Sequence, residues 1–190
     1  MVDQHSADID DILTFWFEEA GPSKWFGGGP EFEEVIKTRF ESLACKVANE
    51  LKHSEVCMWE DTAKGSLAAI IALDQFSRNI FRDKAESFAW DPLSLALARR
   101  TIARGIDMEL PTAERSFIYM PFMHSENIDD QNLCVELMTE RVKNESNVHH
   151  AIEHRKLIEQ FGRFPHRNAI LGRESTQAEE LFLADGGYTP

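Results

Sequence analysis

Leu67-Ala68-Ala69-Ile70-Ile71-Ala72-Leu73-Asp74-Gln75-Phe76-Ser77-Arg78-Asn79-Ile80-Phe81-Arg82 is the stretch on which the fold turns. At 100° per residue, Ile70, Ile71, Asp74 and Arg78 share a face with Leu67, while Ala69, Leu73, Phe76 and Ile80 take the opposite one. A helix that is apolar nearly all round needs other elements on more than one side, so this segment is expected at the centre of the molecule. Asp74 and Arg78 then form an i,i+4 pair that prolongs a buried stripe, and buried charges require partners. Two readings follow. In one, the pair belongs to a structural polar network that fixes how the central helix packs. In the other, Arg78, Asn79 and Arg82 line an anion pocket at the helix end, oriented by Asp74 and Gln75.

The phrase is echoed downstream by Ile158-Glu159-Gln160-Phe161-Gly162-Arg163, followed by Phe164-Pro165-His166-Arg167-Asn168. Glu159 and Arg163 are again spaced i,i+4, here on a solvated face where such a pair contributes only tenths of a kcal/mol. The residues after the helix are more telling. Gly162 frees the backbone, Pro165 restarts a helical turn, and His166 and Arg167 sit at its beginning, where free N–H groups and guanidinium groups suit an anion. Just upstream, His150-Ala151-Ile152-Glu153-His154 has the order of an inverted zinc-peptidase motif. Its spacing puts both imidazoles on one face, but only Glu174, Glu179 and Glu180 remain downstream as a third ligand. These histidines are read as hydrogen-bonded core residues, and neither a metal nor a cofactor is assigned.

Between the two phrases lies Arg115-Ser116-Phe117-Ile118-Tyr119-Met120-Pro121-Phe122-Met123-His124-Ser125-Glu126. Pro121 is expected to end a helix opened by Thr112. Ser125 reads as the cap of the next helix, with Asp129 and Asp130 in its first turn. His124 and Glu126 together could carry acid–base chemistry, with Glu126 tuning His124. Ser125 lacks the Gly-x-Ser-x-Gly elbow of a nucleophile.

The remainder is helical as well. A first helix from about Asp8 stops at Gly21-Pro22, and Phe32, Ile36, Phe40, Leu43, Val47 and Leu51 form an amphipathic stripe after Pro30. The central helix is expected over about Thr62 to Asn79. Asp91-Pro92 reads as a cap with proline at the first helical position, with Gly105 as the stop. Further helices are expected over about Glu126 to Val142, from an Asn147 cap to Phe161, and from a Thr176–Glu179 capping box to about Ala184. About nine helices joined by short loops predict an all-α single domain, 1–190, with mostly antiparallel neighbours.

Composition narrows the function. The 190 residues carry a net charge of −13 with 43% hydrophobic and 28% charged residues, a globular profile. That charge argues against nucleic acid, whose phosphates need a basic surface. Arg155 to Arg173 nevertheless holds five basic residues against Glu159, a local +4 on a remainder of −17. No apolar run approaches the ~20 residues of a membrane span, and Met1 to Asp11 shows no signal-peptide pattern. Cys45, Cys57 and Cys134 have no paired spacing, so reduced thiols and a cytoplasmic setting are expected.

Phe15-Trp16-Phe17 with Trp25-Phe26, Leu73 to Arg82, Tyr119 to Glu126, and Phe161 to Arg173 occur in an order that resembles an uncharacterised bacterial family, domain of unknown function 924. The resemblance runs from Ile12 to about Leu183. It implies an all-helical fold of the tetratricopeptide-like superfamily, and no catalytic role. The family phrase usually has proline where this chain has Ser77, which leaves the end of the central helix open here. Three functions stand beside one another. The first is a binding module for a small anionic ligand or acidic peptide group at Arg78, Asn79, Arg82, His124, Glu126, Arg163, His166, Arg167, Asn168 and Arg173. The second is a protein-interaction scaffold in which these polar motifs are structural. The third is a hydrolase with His124 or His166 as general base.

Overall fold

The computed structural model of the protein describes residues 4–53 and 58–189. Cys57 lies outside the described residues; Cys45 and Cys134 are free thiols. Helix α1, Gln4–Thr14, runs directly into a wider, π-helical segment, Phe15–Ala20, and ends at Gly21, whose φ of 68° is left-handed. The short α2, Pro22–Trp25, leads to α3, Gly29–His53, which buries Phe32, Ile36, Phe40, Ala44 and Val47 along its stripe. Leu43 and Leu51 pack at the edge of the same core.

The central helix begins at a Thr62 cap, whose hydroxyl accepts from the Gly65 N–H at 3.0 Å. It comprises α4, Ala63–Ile70, a π-helical stretch Ile71–Phe76, and α5, Ser77–Ile80. Every residue from Gly65 to Ser77 is buried, as a helix apolar on all sides requires. Gly65 is glycine for a local reason: a Cβ there would come within 2.6 Å of the Trp59 carbonyl oxygen. Serine at position 77 carries the helix on to Ile80, and its hydroxyl donates to the Asp74 carbonyl.

Helices α6, Asp91–Ala103, and α7, Thr112–Met123, pack against α4, as do α1 and the π-helical stretch itself. Next, α8, Ile128–Leu137, widens into a π-helical Met138–Val142 and packs on α7 and on α9, Glu145–Phe161. The last helix, α10, is Gln177–Ala184, and its Thr176–Glu179 capping box is formed. The architecture is all-α. No helix among the described residues is long and apolar enough to cross a membrane.

Several boundaries differ from the sequence reading. Pro121 does not end its helix. It lies inside α7, two residues before its end, where it forgoes one N–H bond to the Phe117 carbonyl, and the buried Phe117, Tyr119, Phe122 and Met123 hold the last turn in place. Asn127, not Ser125, caps α8: its Oδ1 accepts from the Asp129 N–H at 2.8 Å, while Ser125 donates to Asp130. Asn144 caps α9, and Asn147 supplies the capped N–H. Asp91 is itself the first residue of α6.

The core is aromatic. Phe15 and Trp16 are buried with Phe32, Phe40, Phe76 and Phe117, and the Phe40–Phe76 centroids lie 4.7 Å apart. Phe17 and Trp25 pack at the edge, while Phe26 is 75% exposed. A smaller apolar cluster joins Leu157, Ile158 and Phe164 to Phe161, Phe182 and Tyr188. Residues bordering both clusters meet at the cavity described next.

Candidate functional site

The end of the central helix, the end of α7 and the turn after α9 meet around a cavity of about 360 Å³. Arg78, Asn79 and Arg82 come from the first, His124 from the second, and His166 and Arg167 from the third. Gln75, Asp83, Ser87, Phe88 and His154 also line it, together with the apolar Trp25, Phe26 and Ile170.

Asp74 organises the floor. Fully buried, it sits 2.7 Å from His124 Nδ1, accepts from Gln75 Nε2 at 2.5 Å, and lies 3.7 Å from Arg78 Nη2. Burial alone would raise its pKa, but the His124 charge and hydrogen bond, then Arg78 and Gln75, reverse this and hold it near 2. An ionised carboxylate can only accept, so His124 carries its proton on Nδ1 and presents Nε2 as the other nitrogen.

Arg78 is shared. It pairs with Asp91 at 2.9 Å, donates to the Ser87 carbonyl, and stacks 4.8 Å from the Phe88 centroid. Arg167 meets the same ring, 4.6 Å from the Phe88 centroid, and lies 4.4 Å from that of Phe164. Its Nη1 donates to the His124 carbonyl at 3.1 Å, and Asp91 is 3.7 Å away. Only 6% of Arg167 is exposed, and its Nε is buried without a hydrogen-bond partner. Burial, followed by the neighbouring Arg78 charge, lowers its pKa to about 10, still well above neutrality. His166 Nδ1 is a second buried atom without a partner. Burial and then Arg167 push His166 down to about 4, and burial with the His124 charge pushes His154 down to about 3. Both rings are neutral at pH 7, beside guanidinium groups that are not.

A family model for a bacterial protein of unknown function (DUF924) matches residues 12–187. The chain belongs to the DUF924 family. It is also similar to a protein of unknown function, ATU0120 from Agrobacterium tumefaciens, whose solved structure shares 40% identity with a TM-score of 0.87. That likeness covers 95% of this chain and 99% of the other. No curated protein matches the chain.

Four of the residues that sequence reasoning grouped with the pocket of this DUF924 chain are placed elsewhere. Glu126 does not touch His124. The chain turns at Ser125, and Glu126 instead accepts from Arg173 through both oxygens, at 2.7 and 3.0 Å, and from the Phe164 N–H at 2.8 Å. Arg173 also donates to Asn168 Oδ1 and the Phe164 carbonyl, so Glu126, Asn168 and Arg173 form a clasp that positions the Pro165–Arg167 turn. Arg163 does not pair with Glu159. Gly162 is left-handed (φ 69°), which turns Arg163 off the helix and onto Glu179 at 2.7 Å; Glu159 pairs with Arg155. Arg82 lines the cavity, but its Nε contacts Glu33 of α3 at 2.5 Å.

The zinc-like motif resolves into separate contacts. His150 Nδ1 meets the Tyr188 hydroxyl at 3.0 Å, Glu153 pairs with Lys156, and His154 Nδ1 donates to the His150 carbonyl at 2.7 Å. No group of three or more metal-ligating side chains is found among the described residues. His154 was singled out only for that motif, and Phe88 was not singled out at all. Phe88 carries no local signal, because its role depends on two guanidinium groups brought from distant segments.

Proposed function

We propose that the cavity binds a small anionic ligand through Arg167 and its neighbours. The observation that carries this reading is the state of Arg167. It is a cation on the cavity wall, more than nine-tenths buried, and its Nε–H has no acceptor within the protein. A buried donor without a partner costs on the order of 1–3 kcal/mol, more for a charged group, and an oxyanion would remove that cost. Such a site would serve a carboxylate or a phosphate alike, since both accept from a guanidinium group.

Thermal melts with phosphate and acetate test the proposal. At a hundredfold excess over Kd, a ligand adds about 2.7 kcal/mol of stability, so the melting temperature should rise by roughly 5–10 °C. Arg167→Ala should abolish the rise, whereas Arg163→Ala, outside the cavity, should keep it. A rise of equal size in Arg167→Ala, or none with any anion in the parent protein, would sink the reading.

One observation favours a second reading, a hydrolase. Asp74 holds His124 by Nδ1, the arrangement that orients an imidazole as general base, whereas His166 has no orienting partner on Nδ1. Of the two histidines, His124 is the candidate. Loss of turnover in a folded His124→Gln protein would support it, and unchanged turnover would end it. The scaffold reading explains Asp74 and Arg78 equally well but leaves the unanswered donor of Arg167 without a purpose.

A further inference from the structure

The hydrogen-bond assignments around the cavity are forced by chemistry, and they leave one kind of atom over. Asn79 must direct Nδ2 at the Gln75 carbonyl, 2.9 Å away, because a carbonyl only accepts. Gln75 must direct Nε2 at the ionised Asp74. His124 gives its Nδ1 proton to Asp74, and His154 gives its Nδ1 proton to the His150 carbonyl. What remains on Asn79, Gln75 and His154 is Asn79 Oδ1, Gln75 Oε1 and His154 Nε2, and in amides and a neutral ring all three are acceptors. None of them is among the buried atoms lacking a partner, and none has a protein hydrogen bond, so each stays within reach of solvent.

A site for a bare anion would present donors alone. The lining of this cavity combines the buried Arg167 guanidinium group with these acceptors, and acceptors repel an oxyanion but welcome O–H and N–H groups. We infer that the ligand is an anion that also carries hydroxyl groups, its charged head at Arg167 and its hydroxyls donating to Asn79, Gln75 and His154. The inference rests on the anion reading above and specifies its substrate class: a hydroxylated phosphate ester or a hydroxylated carboxylic acid. A volume of about 360 Å³ is at the small end of ligand sites, which suits a compact molecule of this kind. Phe88, Trp25 and Ile170 would cover its carbon skeleton.

Calorimetric titration with matched pairs tests this. Glycerol 3-phosphate is compared with propyl phosphate, and glycerate with propionate; within each pair the head group is the same. Whichever head the site takes, the hydroxylated member should bind at least about tenfold more tightly, the worth of two ordinary hydrogen bonds. Asn79→Leu should narrow that gap several-fold while leaving propyl phosphate or propionate unchanged. His154→Phe serves the same purpose if the first variant does not fold. Equal affinities within a pair, or an equal loss for both members in these variants, overturns the inference and leaves the anion reading intact. No binding by any of the four compounds overturns both.

Discussion

Replacing Asp74 by alanine should destabilise the protein by about 3–5 kcal/mol, the usual consequence of removing one partner from a buried ionic network. For a chain of this size that corresponds to a melting temperature lower by roughly 6–20 °C, read directly by circular dichroism. The reason lies in what the carboxylate holds. His124, Gln75 and Arg78 all direct a donor at it, and it has no exposure to water. Without it, the ring loses its acceptor, the amide keeps only the Met120 sulfur at 3.5 Å, and Arg78 is left to Asp91 and the Ser87 carbonyl. Asp74→Asn should recover part of the loss, because the shape is kept and only the charge is lost. A melting temperature in Asp74→Ala within a degree or two of the parent would show that the network is ornamental.

Mild acid should destabilise the protein before its carboxylates titrate. His154 and His166 have folded-state pKa values near 3 and 4, against 6.5 for a free imidazole. Below pH 6.5 the unfolded chain therefore takes up protons that the folded chain refuses, and stability falls as pH falls. For His154 the loss reaches about 2 kcal/mol by pH 5, with a smaller addition from His166, which is only half-buried. That loss levels off as pH passes the folded values. Asp74 acts lower still: its contribution is complete above its ordinary pKa of 3.8 and is lost as pH falls towards 2. Melts from pH 7.5 to 4 should show a steady decline starting near 6.5, and His154→Phe should flatten it. A flat profile down to pH 5 would mean that the two imidazoles are open to protons in the native state.

The class of fold was legible because it depends on periodicity. The unbroken apolar character from Leu67 to Leu73 places the helix at the centre, and the stripe on α3 places its inward face. Much of the cavity was legible too, for Arg78, Asn79, Arg82, His124, His166 and Arg167 all reach it. Charged groups next to helix ends are conspicuous in sequence, and helix ends gather where helices pack. Partnership was harder to read. Asp74 and His124 are fifty positions apart, and nothing local distinguishes a histidine that meets a buried aspartate from one that meets Glu126, its near neighbour. The pairing of Arg163 failed for the opposite reason: a single left-handed glycine outweighed an otherwise sound i,i+4 rule. Helix caps were displaced by two or three residues wherever several Ser and Asn competed, as at Ser125 and Asn127.

The π-helical turn at Ile71–Phe76 has a bearing on how such a chain can change length. A wide turn of this kind is geometrically an α-helix into which one residue has been inserted without breaking it. Everything beyond it, from Ser77 to Arg82, is rotated by about 100° relative to an uninterrupted α-helix. Deleting any one residue between Ile71 and Phe76 would leave a perfectly good helix and an intact apolar surface upstream. It would also leave Arg78 and Asn79 close to their present bearing, because the wide turn closes to an ordinary one and takes up the lost residue. A deletion elsewhere in the central helix has no wide turn to take it up and rotates everything beyond it by about 100°. In a scan of single-residue deletions, loss of Ala72 should therefore leave more folded protein than loss of Ala68 or Ala69, and the turn acts as slack in chain length between the core and the cavity.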